Sequence, residues 1–144
     1  MKIDRIQICA PGTSPKRMVS AFSSRVPAGY PSPAQDYSET KIDLSEMLIR
    51  DHVSTFIVRV SGNSMQGAGI SDGDELIVDR SVQARDGHVV IAVIDGEMTV
   101  KRLAITAHGV VLKAENPQYP DIHVPELSEL TIWGVATTCL HHLV

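Results

Sequence analysis

The sequence predicts a mainly β protein of antiparallel strands, with an extended N-terminal arm and one short helix. Three observations carry that expectation. From Thr55 onward, short runs rich in β-branched and aromatic residues alternate with turn signals, as in a β-rich domain. Asp95-Gly96 joins two of these runs through a loop of only two residues, which favours a type I′ hairpin. Five of the eight prolines (Pro11, Pro15, Pro27, Pro31 and Pro33) fall in the first 40 residues, with serines beside them. Prolines at that spacing break helices and withhold donors from a sheet.

Taken in order, residues 1–40 read as the arm and residues 41–144 as the folded domain. The arm is locally basic through Lys2, Arg5, Lys16, Arg17 and Arg25. It is expected to gain order only by docking, and residues 1–15 read as a loose surface tail. Residues 43–49 read as a short helix, with Asp43 as its cap and Glu46 three residues on. Strands are expected over 55–60, 75–79, 87–94, 97–103, 110–114, 122–124 and 131–140. The Asp95-Gly96 turn makes 87–94 and 97–103 antiparallel neighbours. Asp72-Gly73-Asp74 and Asn116-Pro117 mark further turns. Trp133 reads as core or as subunit interface.

Composition excludes several classes. A chain of 144 residues can bury a core without disulfide staples. Its formal charge of −4 argues against specific binding of duplex DNA. Cys9 and Cys139 lie near opposite ends and suit a reducing, cytoplasmic setting. No apolar run approaches a membrane span or a signal-peptide core. The acidic stretch Asp72-Gly73-Asp74-Glu75 lacks EF-hand spacing. None of the six histidines stands at zinc-site spacing from another ligand. No metal or cofactor is expected.

The chemistry centres on Val60-Ser61-Gly62-Asn63-Ser64-Met65. The strand over 55–60 runs into Gly62-Asn63, a pair that permits a sharp turn, and Ser64 follows at once. A serine in this position presents its hydroxyl and leaves nearby backbone N–H groups unpaired, as an oxyanion hole requires. Its hydroxyl needs a base to act as a nucleophile near neutral pH. Lys101, on the strand over 97–103, can be that base. Burial disfavours the charged form of a lysine, and serine–lysine pairs are a known variant of triad chemistry. Met65 is expected to bury itself beside the nucleophile. Spacing alone fits a plain turn serine and a solvated strand lysine as well. Val26-Pro27-Ala28-Gly29-Tyr30 offers a peptide carbonyl with almost no side chain around it. By composition alone it is also a Pro/Gly linker.

Four stretches, in order, resemble one family. They are Pro31-Ser32-Pro33-Ala34-Gln35-Asp36-Tyr37, Ser61-Gly62-Asn63-Ser64-Met65, Gly69-Ile70-Ser71-Asp72-Gly73-Asp74-Glu75-Leu76-Ile77-Val78-Asp79 and Thr99-Val100-Lys101-Arg102-Leu103. Together they are similar to the LexA/UmuD family of self-cleaving serine peptidases, and to its UmuD/MucA branch in particular. The resemblance implies the LexA/UmuD-like peptidase fold, with Ser64 as nucleophile and Lys101 as base. It makes the backbone N–H groups of Asn63 and Ser64 the oxyanion hole, and Ala28-Gly29 the bond cut. It also implies a homodimer, and cleavage promoted by a RecA filament on single-stranded DNA. The trimmed dimer would serve a UmuC-like Y-family polymerase in SOS mutagenesis. Two alternatives stand beside this. A LexA-like repressor fragment would need a helix-turn-helix ahead of the bond, and residues 1–28 lack helical periodicity. The other is a non-catalytic polymerase-binding module with a vestigial site.

Overall fold

The computed structural model describes residues 1–8, 16–23, 25–31, 33 and 38–144. Contacts divide the chain into two units, residues 1–11 with 51–144, and residues 12–50. The elements in chain order are β1 (Lys2–Ile8), β2 (Met18–Phe22), β3 (Glu39–Asp43), α1 (Leu44–Leu48), β4 (Thr55–Ser61), β5 (Glu75–Asp79), β6 (Val89–Ile94), β7 (Glu97–Thr106), β8 (Gly109–Lys113), β9 (Ile122–His123) and β10 (Leu130–Leu140).

In the first unit eight strands form one sheet in the order β1-β4-β5-β10-β6-β7-β8-β9. Every pairing in it is antiparallel, so the mainly β expectation holds. The hairpin of β6 and β7 turns at Asp95 and Gly96, whose φ values of 48° and 81° are both positive, as a type I′ turn demands.

Side chains alternate across a strand, and the sheet uses both faces. Ile91 and Val100 join Val58, Val60, Met65 and Leu76 in one apolar cluster. Val90, Ala92 and Leu103 join Leu112 and Val135 in a second. Each fully buried side chain of this kind contributes about 2 kcal/mol, which is why the middle strands tolerate a few buried polar groups. Strand β10 departs from strict alternation. Trp133 packs on the first cluster, whereas Val135 belongs to the second. A register shift between Ile132 and Gly134 turns the strand over between them, as a bulge does. Any Cβ at Gly134 would lie 2.6 Å from Val78 Cγ1, so the bulge closes tightly on β5. The Trp133 ring meets Phe56 edge-on at 5.0 Å, and the Arg80 guanidinium lies 4.6 Å from its centroid.

The loose tail expected over residues 1–15 is corrected for its first eight residues. Residues 2–8 form β1 and pair with β4. Without β1, β4 would present a row of unpaired N–H and C=O groups. Met1 is 8% exposed, and Ile3 packs on the first cluster. The signal was easy to miss, because Ile6 and Ile8, at 40% and 74% exposed, break the inward alternation. Residues 9–15, with Cys9, Pro11 and Pro15, lie outside the described residues.

In the second unit β2 pairs with β3, from Met18 opposite Asp43 to Phe22 opposite Glu39. Ser23 N–H donates to Ser38 O at 2.9 Å, and their hydroxyls also meet. These contacts tie residue 23 to residue 38 at the end of the β2–β3 pair. Helix α1 follows β3 directly. The Asp43 carboxylate accepts from Ser45 N at 2.9 Å and Glu46 N at 3.4 Å, the cap the sequence calls for.

Candidate active site

Strand β4 delivers the loop that carries Ser64. Its last residues are tied to the turn over 71–74: Val60 N–H donates to Asp74 O at 3.0 Å, and Gly73 N–H donates to Val60 O at 2.9 Å. Gly62 then turns the chain with φ of 96°, a region that favours glycine. Its N–H donates to Asp72 Oδ1 at 2.8 Å. Beyond the turn, Met65 is fully buried, as expected, and pins the start of a short 3-10 turn over Gln66–Ala68.

The loop is held from its other side by residues 115 and 116. Glu115 N–H donates to Ser64 O at 2.8 Å, and Gly67 N–H donates to Glu115 O at 2.7 Å. Asn116 Nδ2 donates to Asn63 O at 2.8 Å. The Glu115 carboxylate pairs with Arg102 on β7, which fastens this support to the strand that carries Lys101. The sequence marked Asn116-Pro117 only as a turn. Glu115 and Asn116 stand far from the serine motif along the chain, and no spacing pointed to them. Gly67, Glu115, Asn116 and Tyr119 line an open cleft of about 540 Å³ beside this loop.

Lys101 sits on β7 opposite Val90 of β6, inside the sheet rather than at its edge. It is 5% exposed and Ser64 is 1% exposed. Lys101 Nζ donates to Ser64 Oγ at 3.0 Å and to Val100 O at 3.3 Å. Among the described residues no carboxylate pairs with Lys101. The fold therefore brings together a hydroxyl and an amine that are 37 positions apart in the chain, in a buried site. Such an arrangement suits proton transfer between the two. Among the described residues nothing accepts from the N–H groups of Asn63 or Ser64.

A third group was not anticipated. The Met1 amine donates to Ser64 Oγ at 2.7 Å and reaches Thr99 Oγ1 at 3.5 Å. Met1 O accepts from Val100 N at 3.1 Å and from Thr99 Oγ1 at 3.1 Å. Burial, then the adjacent Lys101 and more weakly Lys2, push the Met1 amine down to about 5. No motif in the sequence signals this contact.

Ala28 and Gly29 belong to the other unit. They are exposed and in a bend, with Val26 and Tyr30 exposed beside them.

The acidic stretch and the C-terminal histidines meet at a separate point. Asp74 Oδ2 accepts from Ser71 N at 2.8 Å, and Asp74 Oδ1 lies 2.6 Å from His141 Nδ1. Burial opposes ionisation of Asp74, but Ser71, His141 and Cys139 outweigh it and hold the carboxyl below its usual range. Burial, then Asp74, pushes the Cys139 thiol up to about 11, which leaves it unreactive as a thiolate. Among the described residues no group of three or more His, Cys, Asp or Glu side chains could hold a metal ion. Among them, too, no helix is long and apolar enough to cross a membrane.

Comparison with known proteins bears on this arrangement. Residues 20–137 match the Peptidase S24-like family. Protein SamA of Salmonella typhimurium is 45% identical over 120 residues, covering 83% of each chain. Protein MucA of Escherichia coli is 38% identical over 141 residues, covering 97% of this chain and 94% of its own. Protein ImpA of Escherichia coli is 41% identical over 121 residues, covering 83% and 81%. The family match spans Ser64 and Lys101 alike, and the relatives extend it over most of the chain. The chain belongs to the Peptidase S24-like family, within its UmuD branch.

Proposed function

We propose that this protein is a serine peptidase that cuts its own chain between Ala28 and Gly29. One observation carries the proposal: a buried amine, Lys101 Nζ, lies 3.0 Å from a buried hydroxyl, Ser64 Oγ. Neutral Lys101 takes the hydroxyl proton as Ser64 Oγ attacks the Ala28 carbonyl carbon. The oxyanion is held by the N–H groups of Asn63 and Ser64. Lys101 returns the proton to the Gly29 nitrogen as that bond breaks. Water then attacks the acyl-enzyme, again with Lys101 as base, and residues 1–28 are released with a new carboxylate at Ala28.

The small residues at the bond and its exposure support this choice. An extended segment with little side chain can lie along a sheet edge and offer its carbonyl without obstruction. Docking of the segment around Ala28-Gly29 is the controlled step. In the UmuD branch that control implies a RecA filament on single-stranded DNA, which need only favour the docked over the undocked state. The trimmed product acts as a cytoplasmic homodimer and as accessory subunit of a UmuC-like Y-family polymerase during SOS mutagenesis. That role rests on membership of the branch.

The RecA step is directly testable. Incubation of the purified chain with RecA, ATP and single-stranded DNA at pH 7.4 is expected to raise the rate of shortening by about tenfold or more, the effect of a shift in docked population of about 1.4 kcal/mol. An unchanged rate with a demonstrably assembled filament contradicts the regulatory part of the reading.

A further inference from the structure

The contact of Met1 with Ser64 is not explained by the cutting reaction. We propose that β1 is a built-in plug: Met1 occupies the leaving-group side of Ser64, and self-cleavage requires β1 to leave the β4 edge. The proposal rests on the peptidase reading above.

The geometry argues for it in three ways. First, a serine hydroxyl has two acceptor lone pairs. Both are engaged, by Lys101 Nζ at 3.0 Å and by the Met1 amine at 2.7 Å. Attack needs one of them aimed at a carbonyl carbon. Second, when a serine peptidase cuts, the amine of the residue after the bond is left beside the serine oxygen. The Met1 amine, 2.7 Å from Ser64 Oγ, fills space beside that oxygen, so in this proposal Met1 and Gly29 compete for one place. Third, the plug is anchored over several residues. Met1 O accepts from Val100 N and Thr99 Oγ1, and the Met1 side chain is buried with Val58, Val60 and Met65. Asp4 Oδ1 accepts from Ser61 Oγ at 2.9 Å, and the ladder runs on to Ile8 opposite Phe56.

The plug should respond to pH. The charged groups facing the Met1 amine are Lys101 on β7 and Lys2 on its own strand. Its other neighbours, Ser64 and Thr99, are neutral, and among the described residues no carboxylate pairs with it. The amine is lowered to about 5 when docked, from 8.0 when free. Docking must therefore expel a proton below pH 8. The docked state weakens as pH falls from 8 toward 5 and holds full strength above 8. In the intact chain the plug therefore restrains cutting most at pH 8 and above, and less as pH falls toward 5. A chain without the plug should lack this restraint at every pH.

Two altered full-length chains test this. Ile3→Glu places a charge where β1 packs on the core. A second chain carries Gly-Ser-Gly-Ser ahead of Met1, which leaves every native residue in place but denies the free amine its seat. Self-cleavage is followed by intact mass from pH 6 to 9. Both chains are expected to cut at Ala28-Gly29 about tenfold or more faster than the unaltered chain at pH 8, with the advantage shrinking toward pH 6. Clipping of the added residues just before Met1 would also support the proposal, since only a peptide seated at Ser64 is cut. Cutting of both chains at the unaltered rate, or slower, overturns the plug and leaves the peptidase reading standing. No cutting in any of the three overturns the peptidase reading, and the plug with it.

Discussion

Ser64→Ala is expected to leave a folded, full-length chain that never shortens. In the proposed mechanism the serine supplies the only atom that joins the acyl fragment, so its loss should lower the rate by about a million-fold, to background. The fold should persist, because the loop does not depend on the hydroxyl. Its anchors are Ser64 O, Asn63 O, Gly62 N and the Met65 side chain. Among the described residues, the hydroxyl's loss leaves Lys101 Nζ with Val100 O and the Met1 amine with Thr99. That should cost about 1–2 kcal/mol of stability. Shortening at the normal rate in this variant would remove Ser64 from the mechanism. Unfolding would mean that the loop leans on the hydroxyl more than its backbone bonds indicate.

Lys101→Met separates chemistry from stability. Methionine has nearly the length and shape of lysine and lacks the amine. Without a base the serine proton has nowhere to go, and cutting should fall by about ten-thousandfold. Most substitutions that abolish a buried hydrogen bond also weaken the fold, but here the opposite is expected. Lys101 is 5% exposed, and no carboxylate among the described residues pairs with it. A buried amine without an acid partner is a burden, and an apolar replacement of similar size is often neutral or stabilising by about 1–2 kcal/mol. The melting temperature should stay level or rise by about 3–8 °C. A melting temperature well below that of the unaltered chain would show Lys101 to be a structural post, and a chain that still cuts would show that another group serves as base. The Met1 amine, at 2.7 Å from Ser64 Oγ, is then the first to examine.

Much of the domain was legible because its signals are local. Turn chemistry at Asp95-Gly96, β-branched runs and the Asp43 cap each act within a few residues, and the strands over 55–61 and 75–79 fall where those signals place them. The turn that carries Ser64 was legible for the same reason, since a strand, a glycine turn and a serine follow one another directly. What escaped was long-range. The pairing of β1 with β4 joins distant parts of the chain, from Lys2 opposite Ser61 to Ile8 opposite Phe56, and among the described residues offers only Met1 and Ile3 as inward apolar residues. The β2–β3 hairpin lies among prolines and serines that read as open chain. The supports from Glu115 and Asn116 are backbone and amide contacts that the fold creates and no short motif records.

The most direct test of the account is the intact mass of the unaltered chain after incubation at pH 9. The account predicts two new species, residues 1–28 and residues 29–144, whose masses sum to the full chain plus one water, and neither of them in Ser64→Ala. A chain that stays whole at this pH, or one that is cut at another bond, contradicts it.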